Sequence, residues 1–218
     1  MATEKLYLWS GDLRAEATLT ALTDGERKIV RLSRTVFHPQ GGGQRADAGT
    51  IGGQPVVDVR HAEGDEVDHV VASFDGLTVG ATVMLEVDAA RRLLHARLHS
   101  AGHLIADAGA MVAPQIVGKA GHHWPREARV EFAGAVDDIP AFTAALSAKL
   151  DELVARDLPL AVLGDPASVR RVKICGDEVP CGGTHVAALA QIGPIAIRRV
   201  QAKGGMLRVS YGVGGEDA

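Results

Sequence analysis

Up to about residue 87 apolar and polar residues alternate in short runs broken by turn chemistry, and the pattern changes at Asp88. Alternation at period two puts one set of side chains on one face of a strand. It predicts strands over Ala15–Leu22, Lys28–Leu32, Gly49–Ile51, Pro55–Val59, Val67–Val71 and Thr82–Val87. Breaks such as Thr23-Asp24-Gly25-Glu26, Gly52-Gly53 and Ala62-Glu63-Gly64-Asp65 separate them. Six short strands at this spacing suggest a small barrel. From Ala89 to Ala106 the chain is rich in helix formers, and Asp88 is placed to cap their first turn. A second helix fits Pro140–Arg156, where Phe142, Leu146, Leu150 and Leu153 recur at helical spacing. Strands follow at Leu160–Leu163, Ile195–Val200 and Met206–Tyr211, the last two joined through Lys203-Gly204-Gly205. The fold class read from this pattern is α+β. A small N-terminal β-barrel domain (residues 1–87) precedes an α+β domain (residues 88–218) with helices packed on an antiparallel sheet.

Composition narrows the class of protein. The 26 glycines suit tight turns and β-structure. No apolar stretch is long enough to span a bilayer, and the N-terminus has no apolar core of a signal peptide. The two cysteines, Cys175 and Cys181, cannot build a disulfide framework, so in a cytosolic setting they read as thiols or metal ligands. A net charge of −4 argues against a general nucleic-acid coat protein. The charge is uneven, however. Residues 1–87 hold 8 Lys and Arg against 13 Asp and Glu, and residues 88–218 hold 15 against 14. A polyanionic partner would lie mainly against the second part.

The candidate chemistry sits in that second part. His99 and His103 are four apart in the expected helix, which puts both imidazoles on one face, one turn apart. His95 lies one turn further back and shares the spacing. In Cys181-Gly182-Gly183-Thr184-His185 a thiol and an imidazole flank two glycines, which suits a tight loop turning both inward. Three imidazoles and one thiolate favour Zn²⁺. A protease of the His-Glu-x-x-His type is disfavoured, because Ser100 stands where the glutamate base would be. Gly41-Gly42-Gly43 is a poor phosphate loop: no Lys-Ser/Thr follows and no helix opens after it.

His99-x3-His103, followed about eighty residues later by Cys181-Gly-Gly-Thr-His185, resembles the editing domain shared by alanyl-tRNA synthetase, threonyl-tRNA synthetase and the free-standing AlaX proteins. Phe37-His38-Pro39-Gln40-Gly41-Gly42-Gly43-Gln44-Arg45-Ala46-Asp47-Ala48-Gly49 is similar to the glycine-rich motif of the alanyl branch, with His38 where a tyrosine is usual. Together they resemble the medium-length AlaX type over nearly the whole chain. The resemblance implies a trans-editing hydrolase that deacylates tRNA(Ala) mischarged with serine, with glycine as a second candidate. It implies His99, His103, Cys181 and His185 as catalytic zinc ligands. It assigns Thr35, Gly42, Gly43 and Gln44 to the substrate, with Thr35 or Gln44 meeting the serine hydroxyl. No membrane and no obligate protein partner are expected. The rivals are a structural zinc module that binds RNA without catalysis and a zinc hydrolase of small esters or amides.

Overall fold

The computed structural model describes residues 2–165 and 168–214. Strands Arg14–Thr23, Lys28–Leu32, Val67–Val71, Gln54–His61, Gly49–Ile51 and Thr82–Val87 close, in that order, into a barrel whose pairs are all antiparallel. The period-two pattern explains the closure. Ala17 and Leu19, Val30 and Leu32, and Val83, Leu85 and Val87 point inward and are buried together, while their neighbours face out. The expected barrel is therefore observed, with four strands at the expected bounds and two, Arg14–Thr23 and Gln54–His61, running one or two residues further at each end.

By packing the chain divides into two compact units, one of residues 1–41 and 45–92, the other of residues 42–44 and 93 onward. The second unit carries a four-stranded antiparallel sheet in the order Ile195–Lys203, Met206–Val213, Arg129–Ala133, Val117–His122. Helix α1 (Ala89–Val112) and helix α2 (Ile139–Ala155) pack with it. Leu98, Ala101, Leu104 and Ile105 of α1 and Phe142, Leu146 and Leu150 of α2 share one buried cluster with Phe132, Leu207, Val209 and Tyr211 of the sheet. Asp88 caps α1, its Oδ1 accepting from the Arg91 N–H at 3.0 Å, and Asp138 caps α2 in the same way through the Ala141 N–H at 2.8 Å. A three-stranded antiparallel sheet of Ala161–Leu163, Arg171–Lys173 and Val179–Pro180 leads into the Cys181 loop. No helix among the described residues is long and apolar enough to cross a membrane.

Within the first unit the glycine-rich motif is tied to the start of α1. Arg92 forms a buried ion pair with Asp47 and donates to the Val36 carbonyl at 2.6 Å, and Asp47 accepts from the His38 N–H at 2.6 Å. Two histidines of this unit are held neutral by burial. His69 donates from Nδ1 to the Val30 carbonyl at 3.2 Å, and its Nε2 accepts from Thr35 Oγ1 at 2.8 Å. Burial pushes both His69 and His38 down to about 4. Each would titrate near 6.5 in the unfolded chain. Between pH 6.5 and 4 the unfolded chain thus binds protons that the native protein does not. Their contribution is fully present above pH 6.5 and is lost as the pH falls through that window, at up to about 1.4 kcal/mol per pH unit for each ring. The urea midpoint should therefore drop between pH 6.5 and 5, less steeply in His69→Gln than in wild type. A midpoint that holds or rises on acidification would contradict this.

Candidate metal centre

Helix α1 presents His99 and His103 one turn apart, and the Cys181–His185 loop brings a thiol and an imidazole to the same place. One ligand atom from each of His99, His103, Cys181 and His185 lies within 4.8 Å of every other. Cys181 Sγ is 3.5 Å from His99 Nε2 and 3.2 Å from His185 Nε2. A tetrahedral zinc with bonds of about 2.0–2.3 Å has ligand-to-ligand edges of roughly 3.3–3.8 Å, so these two separations lie within a few tenths of an ångström of what the ion needs. The donor set fits it too, as neutral imidazoles and one thiolate. Burial holds His103 down to about 4 and thus neutral, while it pushes the Cys181 thiol up, against the Gly183 N–H and nearby Arg170. Loading a metal there must displace the thiol proton. His95 is buried but is not one of the four clustered residues, and neither is Cys175.

The surrounding contacts fix how these rings point. His99 donates from Nδ1 to Gln44 Oε1 at 2.8 Å, which leaves Nε2 for a metal. The same oxygen accepts from the Thr184 N–H at 2.9 Å, and Gln44 Nε2 donates to Thr184 Oγ1 at 2.9 Å. Gln44 thus ties the ligand helix to the ligand loop. Ser100 makes a second tie, its Oγ lying 3.1 Å from His185 Nδ1 and accepting from the Val186 N–H at 3.2 Å. Asp107, one turn past His103, accepts from the amides of Cys175 and Gly176 at 3.0 and 2.8 Å. Gly183 is needed for space: a Cβ there would come within 2.0 Å of the His99 ring.

Among the residues expected to meet substrate, Gly42, Gly43 and Gln44 are packed within the second unit. Gly42 lines a cavity of about 340 Å³ together with His99, His103, Cys181, Lys119 and His123. Gly43 accepts the His123 N–H at 2.8 Å. Gln44 is fully buried, its side-chain oxygen shared by His99 and Thr184. Thr35 is fully buried in the first unit, where its hydroxyl serves His69 and accepts the Phe37 N–H at 3.1 Å. The contacts of Ser100, Arg170 and His123 at this centre are not legible in the sequence, where Ser100 signals only the missing glutamate base. Ser100 and His123 meet partners 85 and 88 positions away, and Arg170 reaches the Cys181 carbonyl across a strand turn, contacts that no spacing rule signals.

Comparison with known proteins agrees with this arrangement. A family described as the threonyl and alanyl tRNA synthetase second additional domain matches residues 169–208, which include the Cys181–His185 loop. The chain is 32% identical to the alanyl-tRNA editing protein AlaX-M of Methanosarcina barkeri, over 96% of its own length and 98% of that protein's. It is also 35% identical to the alanine–tRNA ligase of Parafrankia sp. over 87% of this chain, and 29% identical to that of Methanothrix thermoacetophila over 97%. In both ligases the match spans 26% of the larger protein.

Proposed function

We propose, from the premise that this chain belongs to the family of alanyl-tRNA editing proteins of the AlaX-M type, that it deacylates tRNA(Ala) mischarged with serine or glycine. The observation that supports this reading is the convergence of four metal-ligating side chains, three of which (His99, His103 and Cys181) line a cavity that Gly42 of the glycine-rich motif also lines. The selectivity is physically needed. A synthetic site sized for alanine cannot exclude glycine, and it excludes serine only weakly, since one small group is worth about 1–3 kcal/mol.

In this reading His99, His103, Cys181 and His185 hold one zinc ion, and Gln44 and Ser100 orient two of the rings. Bound zinc would supply positive charge beside a labile ester, able to polarise its carbonyl or to hold the substrate's amino group or a water. The chain's own residues do the positioning. Gly42 and Gly43, having no side chains, let the 3′-terminal adenosine approach the backbone. The role of Thr35 in selecting serine rests on the family resemblance alone, since its buried hydroxyl already serves His69 and the Phe37 N–H. Gln44 acts on the substrate through His99. The setting is cytosolic.

The test is amino-acid release from seryl-, glycyl- and alanyl-tRNA(Ala), with serine methyl ester alongside. Seryl- and glycyl-tRNA(Ala) should be deacylated well above background, and alanyl-tRNA(Ala) and the methyl ester far less. Tight tRNA binding without release would instead support a structural zinc module, and release from the methyl ester at the same rate would support a general esterase.

A further inference from the structure

His123 lines the same cavity but is not among the four clustered ligands. It is 5% exposed, and much of its surroundings accommodates it. Its ring stacks on that of His99 with centroids 4.5 Å apart. A Cβ on Gly102 or Gly121 would come within 2.2 or 2.4 Å of the imidazole, and one on Gly43 within 3.2 Å. Three glycines from separate segments therefore leave room for this one ring.

Its tautomer is set as well. Tyr211 donates its hydroxyl hydrogen to the Leu98 carbonyl at 2.8 Å, so toward His123 Nδ1, 2.7 Å away, the same oxygen can only accept. Nδ1 therefore carries the proton and Nε2 presents a lone pair. Nε2 has no protein hydrogen-bond partner among the described residues. Of the polar side chains lining the cavity, His99, His103 and Cys181 belong to the ligand set and Lys119 can only donate. Nε2 of His123 is thus the side-chain acceptor left for a ligand. Among the described residues the cavity lining contains no carboxylate, so it suits a neutral O–H donor better than an ammonium group.

We infer that His123 Nε2 is a substrate-binding acceptor for the hydroxyl vicinal to the ester on the terminal ribose. That hydroxyl is the neutral donor common to every aminoacyl-tRNA, whichever amino acid is attached. The inference rests on the deacylase reading above, and it adds a residue that holds the ribose while the metal-ligating residues face the ester.

The experiment is a cycle of residue against substrate group. Seryl-tRNA(Ala) ending in adenosine is compared with the same tRNA ending in 2′-deoxyadenosine and esterified on the 3′ oxygen. Glycyl-tRNA(Ala) is carried alongside, and every rate is divided by uncatalysed hydrolysis. A neutral hydrogen bond predicts that wild type loses about three- to tenfold in kcat/KM on the deoxy substrate. His123→Leu should lose the same factor on the ribose substrates, serine and glycine alike, and nothing further on the deoxy substrate. His123→Gln, which keeps an acceptor, should recover most of the loss, and both variants should still bind one zinc per chain. Losses that multiply, with His123→Leu equally impaired on ribose and deoxy ends, would overturn the inference and leave the deacylase reading standing. A loss confined to seryl-tRNA(Ala) would assign the acceptor to the serine side chain and overturn it too. A wild type inert on every charged tRNA overturns the deacylase reading and the inference together.

Discussion

The His99→Ala protein should be isolated without stoichiometric zinc and should release serine from seryl-tRNA(Ala) at least about 100-fold more slowly than wild type. The size follows from a comparison. Removing only a partner of a metal ligand costs about 10–100-fold in affinity or activity, so removing the ligand itself should cost more. His99 carries a further load, since its Nδ1 reaches Gln44 and its ring lies against Gly183 and His123. Cys181→Ala should behave similarly. Cys175→Ala and His95→Ala should keep about one zinc per chain, because neither residue is in the cluster. Elemental analysis reads the outcome directly: equal zinc in wild type and His99→Ala would remove this residue from the ligand set.

A single methyl group on Gly183 should do nearly as much damage as losing a ligand. Its Cβ would stand 2.0 Å from His99 Cε1, 2.1 Å from Nδ1 and 2.9 Å from Gln44 Oε1. Neither neighbour is a loose chain end. His99 is part of the cluster, and Gln44 Oε1 already serves His99 and Thr184. The imidazole must tilt, which moves Nε2 off the point the four donors share. Gly183→Ala should therefore weaken zinc binding by about 10–100-fold, the range for a lost orienting contact. Gly182→Ala is the control, because a Cβ there meets nothing within 4 Å and zinc affinity should stay near wild type. Competition with a chromophoric chelator measures both. Equal affinities in the two variants would show that the loop adjusts and that His99 is not held as described.

In the sequence Gly182 and Gly183 look alike, both as glycines of a tight loop, and only the folded chain gives Gly183 the His99 ring as a neighbour. The alternation in Lys28–Leu32 and Thr82–Val87 was legible because one face of each strand is buried, and burial imposes the period. Val117–His122 was not legible: as an edge strand of Val, Gly, Lys, Ala, Gly and His it lies mostly exposed, and nothing enforces alternation. Helix α1 runs to Val112, past the expected Ala106, through Gly109. That glycine is no helix breaker here; it makes room for the Phe132 ring, which a Cβ would approach to 2.7 Å. The ligand pairs were legible because i, i+4 spacing on a helix and Cys-x3-His around two glycines are local geometry. Gln44 and Ser100 take their roles from residues 55 and 85 positions away, and such contacts exist only once the chain has folded.

The most direct measurement is to strip the protein of metal, return zinc in steps, and follow bound zinc and serine release from seryl-tRNA(Ala) in the same samples. The predicted result is negligible release without metal, rising in proportion to bound zinc and saturating at one ion per chain. Full release from the metal-free protein, or none from protein carrying one zinc at the four-residue centre, would contradict the account.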